Sequence, residues 1–516
     1  INNREKPDCS IIIHRSSTMT EQKSVEGLER WDLTNKNSAY LDRHMMFPLL
    51  EYLDGLIEAD RISYSSKDVA AARLALLRPT HMVDYAVDTY KSVHGESAEI
   101  PAEMEEQKTQ VFKQLEELEH GCKRLTDLCN NKEEKTKLIS EGQWNIAALS
   151  QKADLNITTE VLEIYRKTAK FQFECGDYQR ARDMLENYIS LLAKPPAPAN
   201  SNEDDEMEDS YKNQNKQQTN EKKEDIGNPT IYYLKSVDSN LLQVLWGRLA
   251  CEILVEGWEA ASVALDAVKA ALESLVSSKR MSAIEALSER TWLLHWSLFV
   301  YWNNSAKGGL EQLVELFHTE RYKQAITTNA PHLLRYLTAA VLLCKRRITK
   351  KAAAGSNAEA RRLMKNLINV MQDCDYSDPI VEFVNCLCVK FDFESAQTKL
   401  QECEKVLDAD FFLCKQTGLF MEEARVFVFE NYCRIHNKID LEALGKKLAM
   451  NEDEAERWIV DLIRNANLDA KIDSKEGCVV MGGSVQSVYE QVMERTRDLN
   501  VRSAAMAQNL NKLLGQ

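Results

Sequence analysis

The sequence predicts a mainly α-helical protein: a right-handed solenoid of TPR-like helical repeats, then a winged helix, then a long C-terminal helix. The first observation is a shortage of helix breakers, because the 516 residues include only 18 Gly and 10 Pro. Gly costs roughly 1 kcal/mol and Pro roughly 3 kcal/mol inside a helix, so their scarcity favours long helices joined by short turns. A weak internal repeat and a change of pattern after Phe429 are the other two observations.

The N-terminal part divides into an aperiodic start and a helical region. The chain opens on Ile1 and its first methionine is Met19. We expect residues 1–30 to be a disordered or spurious extension, with residues 1–18 coming from a translated upstream segment or a truncated gene model. Apolar residues then recur at helical spacing, so we predict N-terminal helical repeats over residues 31–193.

An acidic linker is predicted over residues 194–230. This stretch has almost no apolar residue, four of the ten prolines lie within it, and its acidic cluster runs from Glu203 to Asp209. Such a composition cannot bury enough apolar surface to fold. It could serve as a docking or phosphorylation tether, but composition alone favours a solvated, disordered insertion.

Helical repeats resume over residues 231–429. An aromatic residue follows a turn, Ala comes three residues later and Leu seven residues later, so the aromatic side chain would wedge between two helices while Ala permits their close approach. The copies are Tyr178, Ala181, Leu185; Trp258, Ala261, Leu265; Phe393, Ala396, Leu400; and Tyr322, Ala325 without the Leu. We interpret this pattern as stacked helical hairpins.

The pattern over residues 430–483 predicts a winged helix. One short helix is indicated by Ile439, Leu441, Leu444 and Leu448, and a second follows a capping box formed by Asn451 and Glu454. Two short β-capable runs, Ala470 to Asp473 and Cys478 to Met481, then flank a polar turn ending in Gly477 and predict a hairpin. Residues 484–516 form a last helix whose apolar residues have coiled-coil-like spacing, which suits packing against partner helices.

Catalytic and metal-binding motifs are absent from the sequence. The nine histidines are too dispersed for HExxH or HxH, and GxxxxGK, GxGxxG and GxSxG strings do not occur. Cys386 and Cys388 form a CxC pair in an apolar stretch typical of a helical core, and His120 with Cys122 lacks a third partner. We therefore predict a protein that is not an enzyme and that uses no cofactor or metal ion.

The thirteen cysteines are scattered through apolar helical segments, which indicates reduced core residues and a cytoplasmic or nuclear location. The longest apolar stretch, Trp292 to Trp302, is too short to span a bilayer, so we expect no membrane association.

Charge limits the scope for binding nucleic acid. The net charge of −15 opposes binding of polyanions by the whole surface, and residues 430–483 carry eight Lys or Arg against eleven Asp or Glu, so the winged helix should bind protein. One basic segment could contact RNA locally, the alternative being a solvated, partly disordered loop. Its residues are Lys345, Arg346, Arg347, Lys350 and Lys351.

Four long strings carry a family resemblance. They are YLDRHMMFPLLEYL at Tyr40 to Leu53, HMVDYAVDTYK at His81 to Lys91, RTWLLHWSLFVYWN at Arg290 to Asn303, and EAERWIVDLIRNANLDAKIDSKEGCVVMG at Glu454 to Gly482. These strings closely resemble the PCI-domain family within eukaryotic translation initiation factor 3. The resemblance runs from about Trp31 to the C-terminus; the acidic insertion is longer than the family leads us to expect, and the start before Trp31 matches nothing.

The resemblance implies a non-catalytic scaffold subunit, cytoplasmic with room for a nuclear pool, that helps assemble the factor on the small ribosomal subunit and recruit mRNA and initiator tRNA. It implies contacts with subunits c, d and l, with neighbouring PCI and MPN core subunits, and with mRNA or rRNA. PCI winged helices associate edge to edge and their last helices form a bundle. The subunit interface would comprise Val479, Val480 and Met481 on the wing strand, and Val485, Val488, Val492, Leu499, Leu510 and Leu513 in the bundle.

Two alternative functions remain open on the sequence. The same module occurs in subunits of the proteasome lid and the signalosome, and a winged helix can also bind nucleic acid through its third helix. Affinity purification would separate them, because each function brings different partners.

Overall fold

Helices make up most of the described chain. The structure is a computed structural model, and it describes residues 28–95, 99–151, 157–192, 238–351, 358–436, 438–440, 457, 460, 470–473, 478–481 and 488–513. The segments predicted as an N-terminal extension (up to residue 27) and as the acidic linker lie outside these residues. The chain divides into two units, Ile1–Val381 with Cys403–Thr417 and Glu382–Glu402 with Gly418–Gln516, here called the first and second units.

Nine helices precede the acidic segment among the described residues. They are α1 (Thr34–Ser38), α2 (Arg43–Glu58), α3 (Ser66–Leu77), α4 (Val83–His94), α5 (Ala102–Asn130), α6 (Lys132–Ser140), α7 (Ile146–Gln151), α8 (Thr159–Cys175) and α9 (Tyr178–Leu192).

The helices after the acidic segment follow one another closely in the chain. They are α10 (Ser239–Leu254), α11 (Trp258–Ser277), α12 (Ala283–Asn303), α13 (Gly309–His318), α14 (Glu320–Thr328), α15 (Leu334–Lys351), α16 (Ala358–Asp373), α17 (Pro379–Asn385), α18 (Phe393–Ala409), α19 (Thr417–Ile435) and α20 (Val488–Leu513). In the first unit each helix from α8 to α13 packs on the next, and α15 packs on both α13 and α16. The mainly α-helical fold predicted from the shortage of Gly and Pro is confirmed.

The predicted aromatic, Ala and Leu repeat marks the second helix of a hairpin. Tyr178, Trp258 and Phe393 are the first residues of α9, α11 and α18, and Tyr322 lies in the first turn of α14. Each motif alanine is buried, and so is each motif leucine. The turn before α9 needs a left-handed residue, which Gly176 supplies at φ 92°. The repeat positions are therefore confirmed, because buried Ala and Leu line the face on which the hairpin closes.

Helix α12 lies in the core of the first unit. A capping box starts it, with the Ser282 side chain accepting from the Glu285 N–H and the Glu285 side chain accepting from the Ser282 N–H. From Leu293 to Trp302 every side chain is buried. A helix that is apolar on all faces belongs in a protein interior or a membrane, and neighbouring helices surround this one. Within the part of the chain that the structure describes, no helix is long and apolar enough to cross a bilayer.

A buried ionic cluster joins distant segments of the first unit. The Arg335 Nε donates to the Asp378 carboxylate at 2.6 Å, and its Nη1 donates to the Asp410 carboxylate at 3.1 Å. The Tyr336 hydroxyl donates to Asp410 at 3.1 Å and accepts from the Asn37 side-chain amide at 3.1 Å. All five side chains are buried, so the cluster connects α1 to α15 and to the segments that carry both carboxylates.

A small antiparallel sheet lies in the second unit. Its strands are β1 (Lys438–Asp440), β2 (Ala470–Asp473) and β3 (Cys478–Met481), in the order β1-β3-β2. The predicted hairpin is confirmed, since β2 and β3 pair over the predicted residues.

The assignment of Ile439 to a helix is wrong. It lies in β1 opposite Val479 of β3. β-branched residues such as Ile are favoured in strands, and local spacing did not reveal this one because its partner strand is forty residues away. Of residues 441–466, which hold the rest of the two predicted helices of the winged helix, the structure describes only residues 457 and 460.

Gly309 is a position where the fold requires glycine. A Cβ added there would lie 2.5 Å from the Tyr301 carbonyl oxygen and 2.9 Å from that of Asn304, whereas one added at Gly55, within α2, would meet nothing within 4 Å. We expect Gly309→Ala to lower the free energy of unfolding by about 1–3 kcal/mol through overpacking. Gly55→Ala should raise it by up to about 1 kcal/mol through helix propensity. Chemical denaturation measures both, and equal stability of the two variants would contradict the packing argument.

Candidate subunit interface

The last helix exposes apolar side chains at regular spacing. Val488, Val492 and Leu499 are 74%, 55% and 62% exposed, and Leu510 is 52% exposed. Val492, Leu499 and Met506 are seven residues apart, which is the spacing of one position of a coiled-coil heptad. Burying exposed residues of this kind against a partner helix would be favourable at roughly 25 cal/mol per Å². This helix therefore has the properties of an interface element.

Val485 lies outside the described residues, and only the backbone of Leu513 is described. The heptad pattern also missed three exposed apolar residues on α20: Tyr489, Met493 and Val501. Their exposure was not readable from the sequence, since an apolar residue on a predicted helix is as easily explained by a core face.

The predicted wing-strand residues occupy the centre of the sheet. Residue Val479 is opposite Ile439 of β1 and Ile472 of β2, and Val480 is opposite Lys438 and Lys471. Since neighbouring residues of a strand alternate between faces, Val479 and Met481 have register positions on one face of the sheet and Val480 has its position on the other. Among the described residues, β1 and β2 are the outer strands of this sheet and β3 is the central one, so edge-to-edge pairing would use β1 or β2.

The basic segment is helical. The alternative expectation for this segment, a solvated and partly disordered loop, is therefore wrong for residues 345–351. Lys345 to Lys351 form the last turns of α15, and Arg347 donates a hydrogen bond to the Ser305 carbonyl oxygen at 2.6 Å. Lys and Arg are good helix formers, and positive charge is favourable at a helix C-terminus. Lys345 is half-buried, and only the backbone is described at Arg346, Lys350 and Lys351.

Candidate nucleophiles and metal ligands do not assemble in the described part of the chain. Cys122 is buried with its Sγ 3.5 Å from the Thr168 hydroxyl, whereas His120 is exposed on the same helix. Burial raises the pKa of the Cys386 thiol, which disfavours the reactive thiolate. Among the described residues no group of three His, Cys, Asp or Glu could hold a metal ion.

Two buried histidines form a pair within the first unit. The His295 Nδ1 lies 2.7 Å from the Thr291 carbonyl oxygen, so this nitrogen carries the proton, and the His295 Nε2 must accept from the His332 Nε2 at 2.9 Å. Burial lowers the pKa of His295 to about 4. Burial and the neighbouring His295 lower the pKa of His332 still further. Both rings are therefore neutral near pH 7 and serve packing.

Two family models match this chain. Residues 32–172 match the eIF3 subunit 6 N terminal domain, and residues 400–482 match the PCI domain. Together with the helical hairpins and the terminal sheet, these matches define a helical-repeat protein that carries a PCI domain near its C-terminus.

Curated relatives identify the family. The chain is 35% identical to the E subunit of eukaryotic translation initiation factor 3 from Arabidopsis thaliana, over 94% of this chain and 97% of that protein. It is 36% identical to the E subunit from Drosophila ananassae, over 93% and 95%, and 35% identical to that from Bombyx mori, over 92% and 94%. The chain belongs to the family of E subunits of eukaryotic translation initiation factor 3. The resemblance found in the sequence is confirmed, and the proteasome-lid and signalosome alternatives are set aside.

The histidine pair predicts a pH-dependent stability. Unfolded histidine has a pKa near about 6.5, so below that pH the unfolded chain binds a proton that native His332 does not, and stability falls on acidification. We expect His332→Gln to reduce this fall between pH 6.5 and pH 5 by up to about 1.4 kcal/mol per pH unit. Urea denaturation at pH 7, 6 and 5 measures the free energy of unfolding of each variant and hence its slope with pH. His120→Gln is the control, because His120 is exposed to water in the folded chain; identical slopes for the two variants would refute the assignment.

Proposed function

We propose that this chain is a non-catalytic scaffold subunit of translation initiation factor 3 that helps assemble the factor on the small ribosomal subunit. The exposed apolar row of α20 carries this proposal, because such a row is unfavourable in water and is suited to burial against other subunits. Recruitment of mRNA and initiator tRNA then follows from the assembled factor. Family membership supports the assignment to this factor.

The partners we propose are subunits c, d and l and the neighbouring PCI and MPN core subunits. The proposed interface comprises the predicted positions from Val485 to Leu513 and the sheet that contains Val480, whose outer strands β1 and β2 would make the edge-to-edge contact. The domain scheme that we propose keeps the predicted bounds: 31–193 and 231–429 as helical repeats, 430–483 as the winged helix and 484–516 as the bundle helix. A cytoplasmic protein with a nuclear pool fits this role.

A direct contact with RNA is a second, local part of the proposal. The helical position of the basic segment supports it, since a helix presents its charges at fixed spacing to a phosphate backbone. Arg361 and Arg362 at the start of the next helix are exposed and add to the positive charge. The absence of enzymatic activity is also proposed, and the burial of the Cys122 and Cys386 thiols supports it.

The interface on α20 can be tested with a matched control on the same helix. Val492→Asp combined with Leu499→Asp places charges in the seven-residue row, whereas Val501→Asp changes an equally exposed valine outside that row. We expect the amount of initiation-factor subunits that co-purify with the double variant to fall at least about tenfold, since a buried unpaired charge is costly. Val501→Asp should retain them. Thermal unfolding checks that both variants fold, and equal retention by both would disprove the interface.

The RNA contact can be tested through its salt dependence. The triple variant Lys345→Glu, Lys350→Glu and Lys351→Glu keeps Arg347, which is bonded to Ser305. Each lost phosphate contact on a single strand should lower the slope of log affinity against log salt by about 0.7, so three contacts lower it by roughly 2. Lys113→Glu, Lys123→Glu and Lys132→Glu make the same charge change at exposed sites elsewhere. Equal RNA binding by the two triple variants would remove the claim.

A further inference from the structure

A cavity of about 180 Å³ lies within the first unit, where five helices meet. Its lining comes from the start of α2, from the turn between α3 and α4, and from α8, α9, α10 and α12. Sites for drug-sized ligands usually measure 300–1,000 Å³. This cavity therefore has room for a single side chain and not for a whole cofactor.

The floor of the cavity is apolar. Trp246 and Trp296 are buried, and their indole N–H groups already donate, to the Glu289 carboxylate at 3.0 Å and to the Tyr40 carbonyl oxygen at 3.2 Å. The floor thus offers mainly carbon surface, to which buried Leu185 and Ala250 add. An apolar side chain would gain most from binding there.

The cavity lining carries three cations, Arg43, Arg166 and Lys170, against two carboxylates, so its charge favours a negative ligand. Both lining carboxylates are engaged: Asp42 accepts from the His44 backbone N–H at 3.0 Å, and Glu174 pairs with the His81 Nε2 at 3.0 Å and the Lys170 Nζ at 3.4 Å. Arg166 pairs with Glu163 at 2.9 Å, outside the lining.

Arg43 differs from these charges. It is half-buried and forms no hydrogen bond or ion pair with other described residues. Burial lowers the pKa of neighbouring His44, so that ring adds no positive charge near pH 7. A guanidinium next to an apolar hole matches a carboxylate that lies next to an apolar side chain.

We propose that this cavity is a docking site for an acidic peptide segment of a partner protein. One bulky apolar side chain of that segment occupies the cavity, and a flanking Asp or Glu pairs with Arg43. A nucleobase fits less well, because the two tryptophans form a closed floor and do not present two parallel faces for stacking. The site is separate from α20 and from the basic segment, so its test does not depend on the role in initiation.

The test uses the full chain and fluorescein-labelled synthetic dodecapeptides. The probe carries one Phe between acidic residues, and two control peptides replace Phe with Ala or the acidic residues with Lys. We expect fluorescence anisotropy to show binding of the probe, and at least about tenfold weaker binding of each control peptide. Absence of binding by the probe, or equal binding of the Ala peptide, overturns the proposal.

Variants of the chain locate the binding. Arg43→Glu should weaken probe binding at least about tenfold, whereas Lys113→Glu, which makes the same charge change at an exposed site outside the lining, should not. Ala169→Leu, at a buried lining position, should block binding by filling the cavity. If thermal unfolding shows that Ala169→Leu does not fold, the comparison of Arg43→Glu with Lys113→Glu tests the proposal by itself. Equal effects of the two charge reversals overturn the proposal.

Two other occupants are outcomes of the same experiment. A fluorescein-labelled uridine octamer that binds with an Arg43 dependence, in place of the peptide, would identify an RNA site and overturn the proposal. If the probe binds only after Glu203–Asp209 is replaced by a Gly-Ser sequence, the chain's own acidic segment is the occupant, and a partner protein is excluded.

Discussion

The buried guanidinium of Arg335 fixes how distant segments of the first unit meet. Arg335 reaches Asp378 and Asp410, and through Tyr336 the cluster extends to Asn37 near the start of the described chain. Burial disfavours the charge of Arg335, but Asp378 and Asp410 keep its pKa above the ordinary value. Burial raises the pKa of Asp410, and Arg335 partly opposes that shift. Removing one member of a buried ion pair typically costs 3–5 kcal/mol, because its partner stays buried and uncompensated. The helical hairpins between residues 37 and 410 must therefore pack so that these groups meet.

The same packing separates the surfaces available for binding from the interior. The polar groups of helix α12 bond to other parts of the first unit: His295 bonds to His332, and the Trp296 indole N–H donates to the Tyr40 carbonyl oxygen. Helix α20 has the opposite character, since Val488, Val492, Leu499 and Leu510 are exposed. Apolar surface left in water is unfavourable, so the exposed row on α20 gives the second unit a surface suited to partner helices. At the cavity beside Arg43, packing within the first unit is left incomplete.

Sequence reasoning predicted the candidate interface only in part. It selected the exposed row on α20 and the residues of the β2–β3 hairpin, because heptad spacing and a polar turn are local signals. It placed Ile439 in a helix, since one β-branched residue before a helical stripe carries no information about a strand partner forty residues away. It allowed a loop at Lys345 to Lys351, where a run of like charges suggested solvent and not the end of α15. The outer positions of β1 and β2 among the described strands were not visible either, because strand order is a property of the folded sheet.

The sequence by itself determined the helical class, the positions of the hairpins and the family, since helix propensity, the three- and seven-residue spacing of Ala and Leu, and long matching strings are all properties of neighbouring residues. Only the tertiary structure decided which polar groups would be buried together. Arg335, Asp378 and Asp410 are unremarkable charges in the sequence, and the residues lining the cavity are spread from Leu41 to Trp296. Their meeting depends on how successive hairpins stack, and that stacking follows from side-chain packing between helices that no local pattern records.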